Sequence, residues 1–278
     1  MSKLKKALEK AKETRRMDQA GAGLPGQEDR EAQRVESGQK AATPPGPDRH
    51  EINPVYQRTK VIQVDPSTLR KNKIVSLFPD NRMTDQIKIL RTQILKRMKE
   101  LSGNSLLVTS PGPGEGKTLT AVNLAVSISL ELDRTVLLVD ADLRTPSIHR
   151  YFGFKEDGGL SDHLVGGADI ADLMVNPGIE KLTILPAGKA LPNSSEHLGA
   201  PRMESLVKEM KERYSERFII FDCSSLLTSA DPISFSRFVD GVLLVVEAEK
   251  CTRKDLTRAL ELLRDRPLVG TVFNKARD

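Results

Sequence analysis

No stretch of this sequence is long and apolar enough to cross a bilayer, which takes about 20 consecutive apolar residues. Met1–Arg16 is charged throughout instead of being built around the apolar centre of a secretory leader. A cytoplasmic protein is expected. Cysteine is scarce: Cys223 and Cys251 stand alone, without the spacing of a metal site, so a disulfide framework and a zinc site are excluded and reduced thiols are expected. A basic excess is also missing where it would matter. The net charge of +5 is already held by residues 1–16, with seven Lys/Arg against two Glu, and the rest of the chain is neutral. A duplex-binding domain carries its basic patch on the folded part. The cluster Lys96-Arg97-Met98-Lys99 reads as a solvated helix face, so nucleic acid is not an expected partner. No internal repeat is visible.

What is present falls into four segments. Residues 1–16 place Leu4, Ala7, Leu8 and Ala11 on one face of a short basic helix, too short to be stable alone. Residues 17–50 are rich in Gly, Pro, Gln and charge with no apolar period, the composition of a disordered linker. Residues 51–82 read as an extended lead that packs on the domain. Residues 83–278 form the folded domain, opened by a helical stripe through Ile87, Leu90, Ile94 and Met98.

Within the domain, near-continuous aliphatic and β-branched runs alternate with helical patterns. The strand-like runs are 106–109, 136–140, 182–185, 218–222, 242–246 and 269–273; helices are expected near 117–131, 202–214, 231–239 and 252–264. Runs apolar on both faces belong to parallel strands covered by helices on either side. The fold class expected is α/β, a three-layer sandwich around a mostly parallel sheet.

Ser105–Ala125, SLLVTSPGPGEGKTLTAVNLA, carries the chemistry. An apolar strand runs into a Pro/Gly-rich loop, then Gly116-Lys117-Thr118, then a helix. Glycines let a backbone approach phosphate, and the helix N-terminus aims its amides at the anion. Gly112, Gly114, Glu115, Gly116, Lys117, Thr118 and Leu119 are the candidate nucleotide-binding residues. Lys117 would reach the β/γ-phosphates and the Thr118 hydroxyl a Mg²⁺ ion. The usual pattern has a glycine where this chain has Pro111, so context supports the reading: the loop sits where strand meets helix, and the α/β three-layer sandwich is expected to be of the P-loop NTPase type, MinD/ParA-like. Two strands end in carboxylates at the same sheet edge, one at Asp140-Ala141-Asp142 and the other at Asp222. Carboxylates there suit Mg²⁺ and can orient or accept the proton of an attacking hydroxyl.

VLLVDADLRTPSIH, hydrophobics followed by D-x-D-x-R, resembles the second Walker-type motif of the bacterial tyrosine kinases of exopolysaccharide synthesis. The phosphate loop before it and FIIFD after it keep that family's order. LTILPAGKALPNSSEHL and VGTVFNKA resemble its later segments, and SKLKKALEKA resembles the opening of the cytoplasmic, exosortase-associated subgroup. The resemblance implies ATP and Mg²⁺ as cofactors. Lys117, Asp140 and Asp142 would be catalytic, with Asp140 helping to activate the tyrosine hydroxyl. Thr118, Asp142 and Asp222 would serve the metal, and Asn274 would lie near the base. It also implies an oligomer and a membrane-bound chain-length regulator that activates the kinase and brings it to the inner membrane.

The sequence departs from the family in three places. The helix motif E-x-x-R-x-x-R, used for self-association, aligns with Asp85, Lys88 and Arg91. The third motif, normally D-x-P, reads Asp222-Cys223-Ser224. A tyrosine-rich tail is expected to be missing, since the three tyrosines are Tyr56, Tyr151 and Tyr214, none in a cluster. Of these, Tyr56 is the first-ranked internal acceptor, and a separate protein is an equal alternative. Two competing readings follow. One is a MinD/ParA-like positioning ATPase, which would carry a further lysine early in the phosphate loop, whereas none lies between Gly103 and Lys117. The other is a regulatory ATP-binding subunit without kinase activity.

Overall fold

The computed structural model describes residues 58–79 and 82–276. The expected basic helix 1–16, the linker 17–50 and Tyr56 lie outside the described residues. An eight-stranded sheet has the order β1-β4-β5-β3-β6-β2-β7-β8, where β1 is Lys60–Val61, β2 Ser105–Thr109, β3 Thr135–Asp140, β4 Val175–Asn176, β5 Leu182–Leu185, β6 Arg217–Asp222, β7 Gly241–Glu247 and β8 Leu268–Asn274. The six strands from β5 to β8 are parallel; β4 is antiparallel to β5, and β1 is parallel to β4.

Alternate residues of the central strands serve opposite faces. Leu106, Val136, Phe218 and Leu243 join one core; Leu107, Leu137, Ile219 and Leu244 join the other. Both faces are therefore apolar, which is why these strands read as continuous rather than alternating runs. The helix Pro201–Glu212 shows how one face is closed. Proline takes its first turn, and Met203, Leu206, Val207 and Met210 lie at helical spacing on the buried side.

The opposite face is covered by the helix that follows the glycine-rich loop. With α1 (Pro66–Lys71), α2 (Arg82–Glu100) and α3 (Lys117–Ser129) numbered in chain order, α3 is buried almost all round. Its outer side is covered by α2 and by the 3₁₀ turn Val75–Leu77. Asn123 on α3 fastens that cover: its Oδ1 accepts from the Val75 N–H at 2.8 Å, and its Nδ2 donates to the Lys73 carbonyl at 3.0 Å.

The lead is not simply extended. Asp65 caps α1 by accepting from the Ser67 N–H at 2.8 Å, and Pro66 is preset for the first helical position. Its Lys60–Val61 portion joins the sheet as β1, so the sheet begins well before residue 83. The expected helices near 231–239 and 252–264 are shorter, an α-helix at Asp231–Phe235 followed by a 3₁₀ turn, and a helix at Arg253–Leu262. No helix among the described residues is long and apolar enough to cross a membrane.

Candidate active site

The loop from Pro111 to Gly116 leaves the carboxyl end of β2 at the centre of the sheet and feeds α3. Gly114 and Gly116 take positive φ values of 76° and 96°. A Cβ at Gly116 would also collide with the Asn274 amide, so glycine is required there twice over. Glu115 staples the loop. Its Oε1 accepts from the Gly112 N–H at 2.8 Å and its Oε2 from the Glu247 N–H at 3.0 Å. Three donors reach the loop carbonyls from the ends of β7 and β8: Lys250 to Pro113 at 3.1 Å, Lys275 to Gly114 at 2.8 Å and Asn274 Nδ2 to Glu115 at 2.9 Å. Glu247 holds both lysines, at 3.1 and 3.0 Å. The loop is thus held in shape from outside; the Gly112 amide, counted among the nucleotide-binding candidates, is engaged by Glu115. Sequence reasoning missed Glu247, Lys250 and Lys275 because they lie more than 130 residues from the loop they hold.

The three strand-end carboxylates gather beside Lys117. Its Nζ lies 3.0 Å from Asp142 Oδ2. Burial alone would lower the Lys117 pKa, but Asp222 and Asp142 together raise it, so the ammonium stays charged. Asp142 Oδ1 accepts from the Thr145 N–H at 3.0 Å and from its hydroxyl at 3.1 Å, which fixes the carboxylate plane. Asp140 is fully buried. Its Oδ2 accepts from the Ser147 and Ile148 N–H groups, each at 2.9 Å, at the start of α4 (Ile148–Phe152). Burial, then Asp222, push its pKa up to about 8 against those backbone donors.

Asp222 differs from the other two. It is fully buried, and neither carboxylate oxygen makes a hydrogen bond of ordinary geometry. Burial raises its pKa to about 6, with Lys117 and the Thr118 hydroxyl pulling the other way. Orphaned buried oxygens in native structures call for an explanation. Two carboxylates and a hydroxyl, all hard oxygen donors beside a phosphate loop, fit a Mg²⁺ ion.

The segment after Asp222 lacks the proline of the related motif, and hydrogen bonds take its place. The Thr109 hydroxyl donates to the Ser224 carbonyl at 2.7 Å; the Leu226 and Leu227 N–H groups donate to Ser110 and Pro111 at 2.9 and 3.1 Å. Burial holds the adjacent Cys223 thiol well above its usual pKa. Asn274, expected near the base, has its amide on the phosphate-loop backbone.

This geometry agrees with the comparisons. An AAA-domain family model matches residues 108–266. The tyrosine-protein kinase YwqD of Bacillus subtilis is 30% identical over 210 residues, spanning 75% of this chain and 87% of the relative. The chain belongs to the bacterial P-loop tyrosine-kinase family. The crystal structure of the chimerical protein CapA2B2 superposes with a TM-score of 0.69 at 28% identity, covering 81% of this chain and 96% of that one. The septum site-determining protein MinD of Pyrococcus horikoshii, solved with Mg-ADP, is more distant, with a TM-score of 0.52 at 25% identity, covering 61% and 69%. The expected α/β P-loop architecture and the kinase family are therefore both found, with MinD as a remoter relation of the fold.

Proposed function

We propose that this chain is an ATP- and Mg²⁺-dependent protein-tyrosine kinase acting in exopolysaccharide polymerisation or export. The observation that carries the reading is Lys117 set between Asp142 and Asp222 under a preshaped phosphate loop, with Asp140 alongside. Loop amides and Lys117 would bind the ATP phosphates. Thr118, Asp142 and Asp222 would hold Mg²⁺, which when bound neutralises charge on the β- and γ-oxygens. Asp140 has one oxygen fixed by two backbone donors and a pKa near the working pH. That is the arrangement of a group that accepts a proton from the phenol.

Asp140→Asn is expected to lower kcat at least about 10²-fold while ATP affinity changes little, because only proton acceptance is lost. Asp142→Asn is expected to weaken Mg²⁺-dependent nucleotide binding as well. Phosphotyrosine formation from labelled ATP and nucleotide titration with and without Mg²⁺ check both. Full activity in either variant removes that residue from the site. The same assay separates the kinase from the regulatory-subunit reading, which the unclustered tyrosines favour: nucleotide binding with no phosphotyrosine on the chain or on a co-expressed partner would establish the latter.

Self-association is part of the proposal. Lys88 and Asp85 are exposed and pair with each other at 2.9 Å, near exposed Met83 and Ile89. Arg91 is turned inward, donating to the Ser127 carbonyl at 3.0 Å and pairing with Glu131 at 2.8 Å. Replacing it would disturb α2 against α3, so the Asp85→Ala/Lys88→Ala double variant is the cleaner probe. It should sediment as a smaller species where the wild type associates; identical sedimentation would reject the surface. An activating membrane-bound partner, proposed by analogy with the chimeric make-up of the solved neighbour, would place the kinase at the inner membrane.

A further inference from the structure

A cleft of about 240 Å³ opens beyond Asp140, between the loop that follows α4 and the β1–β4 edge of the sheet. Ile62, Phe154, Leu173, Met174 and Pro186 give it apolar walls, and Glu156 lines it on the side of the candidate active site. The Glu156 carboxylate, the His149 ring and the Asp140 carboxylate bring their ligand atoms within 4.8 Å of one another, and His149 Nδ1 lies 2.8 Å from Glu156 Oε1. One side chain therefore separates the cleft from the group that would accept the phenol proton.

Strand direction decides what can enter the cleft. β5 ends at the edge where Asp140 and Asp222 end. β4 is antiparallel to β5 and β1 parallel to β4, so β1 starts at that same edge. The chain preceding Lys60 thus arrives on the active side of the sheet. It is fixed there. Arg58 forks onto Asp169 at 2.9 Å and Asp172 at 2.8 Å, and Lys60 Nζ pairs with Asp157 on the cleft rim at 2.6 Å. Tyr56 is two residues before Arg58, a reach of about 7 Å for extended chain. Three strand spacings, about 14 Å, separate β1 from β3, and the cleft lies between them.

We propose that this cleft is the acceptor-docking subsite and that its occupant is the chain's own segment 51–57, which sets Tyr56 toward Asp140. The proposal rests on the kinase reading for the transfer itself. The phenol oxygen bonds to the γ-phosphorus, the bond from that phosphorus to the bridging oxygen of ADP breaks, and the phenol proton passes to Asp140. The other two tyrosines are placed less well. Tyr151 lies near enough to the site for Asp222 and Lys117 to act on its phenol, but its ring is half-buried on α4 against the core, so presenting it would take local unfolding. Tyr214 lies just past the helix Pro201–Glu212, with the Arg217 guanidinium 4.2 Å over its ring.

The test separates docking from transfer. With p-benzoylphenylalanine at position 56 of the full chain, irradiation should yield intramolecular crosslinks to Phe154, Leu173 or Met174. Leu173→Arg should cut that yield at least about fivefold with ATP affinity unchanged. In the unmodified chain incubated with ATP and Mg²⁺, mass spectrometry should find phosphate on Tyr56. Crosslinks only to other surfaces, or only between two copies, overturn the docking subsite whatever the kinase assay shows. Phosphate on Tyr151 or Tyr214 with Tyr56 unmodified overturns the acceptor assignment and leaves the kinase reading standing. Cleft crosslinks without phosphotyrosine anywhere overturn the kinase reading and the acceptor role with it.

Discussion

Lys117→Met is expected to abolish measurable ATP binding, a fall of about 10²–10³-fold or more, and phosphotransfer with it. The same substitution should lower stability in a pH-dependent way. The buried ammonium balances Asp142 and Asp222, and removing one partner of such a group leaves uncompensated buried charge, at a cost of about 3–5 kcal/mol. Protonation relieves that cost, so the loss in Tm should be largest near pH 8 and shrink toward pH 5, as Asp222, already raised by burial, takes up its proton. Isothermal titration with ATP and thermal melts across that range are the measurements. Wild-type nucleotide affinity in the folded variant would sink the phosphate-loop assignment. A loss of Tm equal at pH 5 and pH 8 would contradict the electrostatic account of the three-residue cluster.

Much of this site was legible because its parts are local in sequence. Gly116-Lys117-Thr118 lies at a strand-to-helix junction, and Asp140, Asp142 and Asp222 close apolar strands whose parallel arrangement follows from their two-faced burial. The departure at Pro111 did no harm, because the Pro111 carbonyl is held by Leu227 and the φ-demanding positions are Gly114 and Gly116. What the sequence does not carry is long-range. The pairing of β1 with β4 depends on two residues in each strand, too short for any period to register. The outer clamp of Glu247, Lys250 and Lys275 is three charged residues at the ends of two distant strands, indistinguishable by type from solvated ones. The inward turn of Arg91 was hidden for a related reason. The helical spacing places it on one side with Asp85 and Lys88, but a long side chain can reach around to Ser127 and Glu131 on the next helix.

Asp222→Asn should separate stability from function in the opposite sense to the lysine variant. Activity and Mg²⁺-dependent nucleotide binding should fall at least about 10²-fold, since an amide is a poor ligand for a hard cation. The ligand-free protein, however, should become more stable. In the folded state the Asp222 pKa is raised from 3.8 to about 6, so the folded chain holds this proton more tightly than the unfolded one. Its contribution is most favourable below the unfolded value and is lost as pH rises through the folded value. Above about pH 6 the folded protein carries a buried carboxylate whose two oxygens make no hydrogen bond of ordinary geometry, a cost that Lys117 and the Thr118 hydroxyl offset only in part. Asparagine never ionises, so the variant escapes that penalty. The gain should be on the order of 1–3 kcal/mol, roughly 2–12 °C in Tm for a domain of this size, present at pH 8 and gone near pH 4. Added Mg²⁺ with nucleotide should stabilise the wild type and not the variant, closing or reversing the gap. A variant less stable than wild type at pH 8 without ligand would show that Asp222 is held by structure alone and not kept strained for a cation.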